Sequence, residues 1–410
     1  MNETILIKYA ELAVKMGVNL QKNQTLMLTA PVECAELIRA ITKVAYSVGA
    51  MKVIVNWKDD LISRAHYEGQ SIETLTDIRQ FEIDAKAFPM EEGAALISVA
   101  SPTPDVFVGI DSDKLSKAAM ANGKAFEKVQ SYTMNNINRW CIIAAPNPLW
   151  AKKVFPNEAS DVAMEKLWDK ILSAVHVSLD NDPMAEWNKH NSLLNSRVNE
   201  LCKLNFKSLH FTNELGTDLV VGLPLNHVWA GGSELDANGI CFNANMPSEE
   251  IFTAPSKYEV NGRVVATKPL DYQGEIIDGF EMTFKEGKVV SYSAKKGAGA
   301  LARLVEYDEG SCYLGEAALV EHSSPISQSN ILFYNTLFDE NASCHLALGR
   351  AYPTCVKGGE EMNKDELEKA AINTSLAHVD FMFGNETMKI VGTTYGGSEV
   401  IVFENGNFIL

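Results

Sequence analysis

Around Asn181-Asp182-Pro183 the hydrophobic pattern of this chain changes its period, and that change narrows the folds open to it. On the N-terminal side, helical patterns alternate with short β-branched runs. The opening MNETILIKYAELAVKMG puts Ile5, Tyr9, Leu12 and Met16 on one helical face. A strand from Thr25 to Thr29 follows, then a helix containing Ala35, Leu37, Ile38, Ile41 and Val44 that Gly49 closes. The strand Lys52 to Asn56 comes next, with further apolar runs at Ala95 to Ala100, Val106 to Ile110 and Trp140 to Pro146. Short apolar runs separated by helices predict a mostly parallel sheet with helices on both faces. No glycine fingerprint follows the first strand, so nothing marks this half as a dinucleotide-binding domain.

Helical patterns at about 158–175 and 183–204 separate the halves. Beyond them, runs such as Ser208 to Thr212 and Asp218 to Leu223 read as strands. Turn dipeptides recur at Asn261-Gly262, Glu286-Gly287 and Asn405-Gly406, and such pairs favour two-residue hairpins because both residues tolerate positive φ. The expectation is an α/β N-terminal domain over 1–182 and an α+β C-terminal domain rich in antiparallel strands over 183–410. A length of 410 residues agrees, since one hydrophobic core seldom supports so many.

A net charge of −17 argues against nucleic acid and against anionic membrane surfaces, both of which demand basic patches. Glu3, Lys8, Glu11 and Lys15 interrupt the N-terminal segment, which reads as neither a signal peptide nor a membrane span. Seven cysteines are scattered without CxxC pairs, which implies reduced thiols and a cytoplasmic setting. Cys344, although it adjoins His345, reads as a buried small hydrophobe rather than a nucleophile.

There is no HExxH, P-loop or GxSxG motif. Gly297-Ala298-Gly299-Ala300-Leu301-Ala302 matches GxGxxA, but the strand before it reads as the second arm of a hairpin through Glu286-Gly287-Lys288. A dinucleotide fingerprint needs a parallel βαβ unit, so the match is disfavoured.

The chemistry gathers instead where ionisable groups interrupt apolar strands. In Cys312 to Val320, alternation puts Glu316 on one face with Cys312, Leu314, Ala318 and Val320. A lone carboxylate there would lose several kcal/mol on desolvation unless a cation compensates it. In Ser375 to Phe383, after a helix start marked by Asn363 and Glu366, His378 and Asp380 share a face at i, i+2 with Leu376 and Met382. FDENASCHLALGRAYPTC, from Phe338 to Cys355, brings the acidic pair Asp339 and Glu340, then His345 in an apolar run with Ala347 and Gly349 on its face, then Tyr352. Two histidines with at least two carboxylates suit a borderline cation such as zinc, cobalt or manganese. Glu249 and Glu250 follow a proline turn, and spacing alone does not single them out. His66, His176 and His190 read as surface residues, His210 and His227 as structural, and His322 as solvated.

Together NMPSEEIFTAP, LGEAALV, DENASCHLALGRAYP and NTSLAHVDFMFG, in that order over 245–384, resemble the aminopeptidase T and aminopeptidase S family of dinuclear metallo-aminopeptidases. The resemblance implies two divalent ions (zinc, cobalt, manganese or magnesium) held by Glu250, Glu316, His345, His378 and Asp380, with Glu316 as the bridge. It implies that Tyr352 is the catalytic tyrosine, that Glu340 supplies either a further ligand or a proton acceptor, and that Glu316 or Glu340 accepts the proton of a metal-activated water. The implied substrates are peptides with a free N-terminus, and the implied assembly is a homodimer. Arg350 stands where some relatives carry a small residue. Three rivals remain open on the residues alone: another dinuclear hydrolase such as a phosphoesterase, a non-enzymatic metal-binding or scaffold protein, and the nucleotide-binding reading of the Gly297 match.

Overall fold

The computed structural model describes residues 2–410. Two compact units make up the chain: one runs up to Lys189 and takes in Ser233–Pro247, the other is His190–Gly232 with Ser248–Leu410. The two long helical patterns are realised as Ser160–Ala174 and Pro183–Leu204.

The first unit is built on a four-stranded parallel sheet in the spatial order Lys52–Lys58, Thr25–Pro31, Ala95–Ala100, Trp140–Ala144. Leu26 lies between Val53 and Ala95 in the ladder, as a buried parallel strand requires. Helices fill the connections. Ala35–Ser47 buries Leu37, Ile38, Ile41 and Val44, one face of a 3.6-residue repeat. The N-terminal helix Glu3–Leu12 continues into a wider turn over Ala13–Gly17. Its Tyr9 hydroxyl donates to the Ala144 carbonyl at 2.9 Å and accepts from the Ala144 amide at 3.0 Å, fixing the helix to the last strand. The apolar run 106–110 forms turns rather than a strand. Its carbonyls at Val106 and Val108 accept bonds from the Arg64 guanidinium, so a side chain satisfies the backbone that a sheet neighbour would otherwise serve.

The second unit is mainly antiparallel. Among its described residues, a larger, nine-stranded sheet and a five-stranded sheet present their apolar faces to one core. Leu209, Phe211, Leu219 and Val221 contribute from the first sheet, and Leu314, Leu346, Leu348 and Phe381 from the second. Glu286-Gly287 and Asn405-Gly406 are the tight turns their sequence indicates, with positive φ at both residues of each pair. Asn261-Gly262 is not a turn. It lies inside the strand Val260–Val265, where a Cβ on Gly262 would stand 2.2 Å from the Asp218 carbonyl oxygen. The glycine there permits close approach of a neighbouring strand. The helix Ala298–Val305 follows an antiparallel hairpin, Glu275–Lys285 with Lys288–Lys296, which excludes the dinucleotide reading of the GxGxxA match. No helix among the described residues is long and apolar enough to cross a membrane.

Candidate metal centre

The five-stranded sheet of the second unit runs in the order His378–Met382, His345–Gly349, Leu314–Leu319, Ile251–Thr253, Ala230–Gly231. Its register explains which side chains meet. Along the second strand, His345, Ala347 and Gly349 share a face, while Leu346 and Leu348 enter the core. Ala347 is paired with Glu316 on one side and Asp380 on the other, and Gly349 is paired with His378. Small residues in the middle of the row leave space between the ionisable ones.

Glu316 reaches this face through a device that strict alternation does not reveal. The register shifts between Leu314 and Glu316, so that Leu314 pairs with Leu348 on the core face and Glu316 with Ala347 on the other. Glu316 therefore shares its face with Ala318 and not with Leu314, which corrects the alternation read from sequence. Gly315 is the extra residue, and a Cβ on it would fall 2.4 Å from the Gly349 and Arg350 carbonyl oxygens. A bulge of this kind re-aims one side chain. The glycine just before Glu316 was the available sequence signal.

The resulting distances form two trios that share one member. His345 Nε2 lies 3.1 Å from Glu250 Oε2 and 3.5 Å from Glu316 Oε1. His378 Nε2 lies 3.5 Å from both Glu316 Oε2 and Asp380 Oδ1. Within each trio, Glu250–Glu316–His345 and Glu316–His378–Asp380, the potential ligand atoms all lie within 4.8 Å of one another. Glu250, Glu316 and His345 are buried, and His378 and Asp380 are partly so.

Both imidazoles are oriented from behind. His345 Nδ1 donates to the Ser343 carbonyl at 3.2 Å, and His378 Nδ1 donates to the Arg350 carbonyl at 2.6 Å. A carbonyl only accepts, so Nδ1 carries the hydrogen and each Nε2 turns a lone pair toward carboxylates. Lone pair against carboxylate is repulsive unless a cation, a proton or a metal, lies between them. Asp380 Oδ1 is buried without a hydrogen-bond partner, its approach to His378 lacking hydrogen-bond geometry. These donors fit a divalent metal: nitrogen and carboxylate ligands, secured by neighbouring carbonyls, with an oxygen left unsatisfied.

The acid–base balance records the same demand for positive charge. Burial pushes the Glu316 carboxyl up to about 7, with Asp380 and Glu250 adding to the effect against the pull of His345. Burial would lower both histidines, but Glu250 and Glu316 hold His345 well above its ordinary value, and Asp380 and Glu316 raise His378 to about 9. For Asp380, burial favours the neutral form, yet the neighbouring His378 holds it below the usual carboxylate range.

Glu340 and Tyr352 come from irregular segments. Glu340 opens a short helical turn, Glu340–Ala342, after the helix Thr336–Asp339. Burial, then Glu250 and Asp380, raise its carboxyl well above the ordinary range. Asp339, the other acid of the pair, is used locally and accepts the Phe333 and Asn335 amides at 2.7 and 2.9 Å. Tyr352 packs between Phe252, at 5.9 Å between ring centroids, and His378. Burial, reinforced by Glu316, Asp380 and Glu340, keeps its phenol protonated.

The remaining histidines fall outside this cluster. His66 is exposed, whereas His176 and His190 are half-buried rather than on the surface. His190 Nε2 stands 2.7 Å from the Ser248 carbonyl oxygen. His227 is buried and donates from Nδ1 to the Pro224 carbonyl, His210 contacts Asp218, and His322 lies beside the Ser327 hydroxyl. Sequence reasoning missed the carbonyls of Ser343 and Arg350, which carry no side-chain signature, and Asn341, whose Oδ1 accepts the Glu249 amide at 2.7 Å.

Comparison with known proteins finds relatives along essentially the whole chain. Aminopeptidase AmpS of Bacillus subtilis (strain 168) is 44% identical over 400 residues, covering 98% of this chain and 97% of that protein. Aminopeptidase T of Thermus aquaticus is 35% identical over 405 residues, covering 99% and 98%. The solved structure of wild-type AmpT from Thermus thermophilus superposes with a TM-score of 0.93 at 35% identity, covering 100% of both chains. Residues 2–408 match the thermophilic metalloproteases (M29), and the chain belongs to that family.

Proposed function

We infer that this chain is a metal-dependent aminopeptidase, which releases the N-terminal residue of a peptide. The observation that carries this reading is the pair of donor trios sharing Glu316, in a chain of the M29 family. We further propose two ions, one held by Glu250 and His345, the other by His378 and Asp380, with Glu316 between them. Charge supports the number. Fully ionised, the four carboxylates Glu250, Glu316, Glu340 and Asp380 are balanced by two divalent cations, whereas without metal the balance needs protons on both imidazoles and on the raised Glu316 and Glu340 carboxyls.

When bound, divalent ions polarise the scissile carbonyl and lower the pKa of a water so that it serves as nucleophile near neutral pH. Glu340, its carboxyl raised by burial and by neighbouring acids, is the proposed proton acceptor. The Tyr352 hydroxyl remains a donor at any working pH and stabilises the oxyanion. The acidic site also favours the ammonium group of a free peptide N-terminus, and blocked peptides lack that cation.

Seven free cysteines support a cytoplasmic setting. The homodimer follows from the family resemblance, and light scattering tests it. The proposed domain division lies near 182, with the metal centre in 183–410.

The decisive experiment strips the protein with chelator, restores zinc, cobalt, manganese or magnesium singly, and assays aminoacyl anilides beside their N-acetylated forms and phenyl phosphate. The expected result is metal-restored cleavage of free-amino substrates alone. Absence of bound metal, or activity confined to the phosphate ester, overturns the reading.

A further inference from the structure

We propose that Asn341 is a positioning residue for the reaction, holding the backbone of Glu250 in place against the segment that carries Glu340. The proposal rests on the metallo-aminopeptidase reading above and adds to it a residue that binds neither metal nor substrate.

Glu250 sits one residue ahead of a strand only three residues long, Ile251–Thr253. Downstream its main chain is fixed at once, because Ile251 pairs with both Leu319 and Gly231. Gly231 lies so close that a Cβ there would stand 2.5 Å from the Glu250 carbonyl oxygen. Upstream, the Glu249 amide donates to Asn341 Oδ1 at 2.7 Å. Glu250 is thus gripped on both sides, by a ladder behind and by one side-chain amide in front.

The other end of that amide points the opposite way. Asn341 Nδ2 donates to the Leu337 carbonyl at 3.1 Å, inside the helix that leads to Glu340. Because one partner only donates and the other only accepts, the amide has a single orientation in which both bonds form. Asn341 is fully buried, so each bond lost leaves a desolvated polar group. Its backbone neighbour is Glu340 itself. One side chain therefore joins the main chain just before Glu250, at the Glu249 amide, to the helix leading into the turn that bears the proposed proton acceptor. Apolar residues of similar size would fill the volume but hold neither group.

The test uses the full chain, stripped of metal and titrated with cobalt(II), followed by visible absorption. Wild type should take up cobalt in two steps, and Glu250→Gln identifies the step that depends on Glu250. Asn341→Ala is expected to weaken that same step by about 10–100-fold, the usual effect of removing a group behind a ligand, while the other step stays within about twofold. In the restored enzyme kcat should fall by about tenfold or more with KM little changed. Asn341→Ser, which keeps an oxygen on a shorter side chain, is measured alongside in case the alanine variant does not fold, with the same split expected. Equal weakening of both steps, or no change in either, overturns the proposal. If wild type itself takes up no cobalt, the metalloenzyme reading fails first, and the two failures are told apart.

Discussion

Tyr352 stands edge-on to His378, their ring centroids 5.0 Å apart and their planes at 60°. The phenol is thereby held over a metal-ligand candidate without contributing to either donor trio. Tyr352→Phe removes one hydroxyl and leaves the packing against Phe252 and His378 intact. Turnover should fall about 10²–10³-fold, the usual loss when an oxyanion donor is removed. Metal content by elemental analysis and thermal stability should match wild type. Undiminished kcat would take Tyr352 out of the chemistry.

Glu316 differs from the other acids in using both oxygens on different histidines, Oε1 toward His345 and Oε2 toward His378, each at 3.5 Å. If two ions are bound as proposed, Glu316→Ala should therefore deplete both, whereas Asp380→Ala should mainly deplete one. Activity should be lost in both variants. Metal-to-protein ratios after gel filtration separate them, and equal ratios would argue against the bridging role.

The backbone beneath the site makes its own demand. Gly349 has φ +106°, and a Cβ on it would lie 2.2 Å from the Ala377 carbonyl oxygen. Gly349→Ala combines a left-handed conformation with overlap against backbone that has no room to give. The expected loss is at least about 2 kcal/mol, read from urea unfolding. Activity should fall further than stability alone accounts for, since the next carbonyl, that of Arg350, orients His378. A variant of wild-type stability would mean that the turn adapts.

These residues also show how far the sequence could be read. His378 and Asp380 were legible because their strand is regular, and period-two alternation puts them on one face. His345 was legible for the same reason. Alternation pairs Glu316 correctly with Ala318 but wrongly with Leu314, because the bulge at Gly315 breaks the register between Leu314 and Glu316. Glu250, Glu340 and Tyr352 lie outside regular strands, where periodicity carries no information, and only the family motifs singled them out. Strand order is a matter of long-range pairing: nothing local indicates that Ala347 sits between Glu316 and Asp380. Asn261-Gly262 illustrates the same limit in the larger sheet, since a turn dipeptide and a close-approach glycine look alike in one dimension.

Proton and metal compete for the same charges, so removing metal should make stability depend on pH in a definite direction. In the folded chain His378 is raised to about 9 from an ordinary 6.5, so its contribution is complete below about 6.5 and vanishes as pH climbs through 9. His345, also raised, acts in the same sense. Glu316, raised to about 7 from 4.5, holds its proton more tightly folded than unfolded, and so also loses stability as pH rises through 7. Asp380 is lowered from 3.8, so its opposite contribution is already complete and constant above that value. The chelated protein should therefore lose stability between pH 6.5 and 9, with His378 alone responsible for on the order of 3 kcal/mol. Divalent metal replaces those protons, so the loaded protein should stay level over the same range, and the gain in Tm on adding manganese should widen with pH. Melting curves at pH 6, 7, 8 and 9, with chelator and with saturating manganese, decide the matter. A chelated protein that gains stability across this interval would show that the cluster holds its charge by other means.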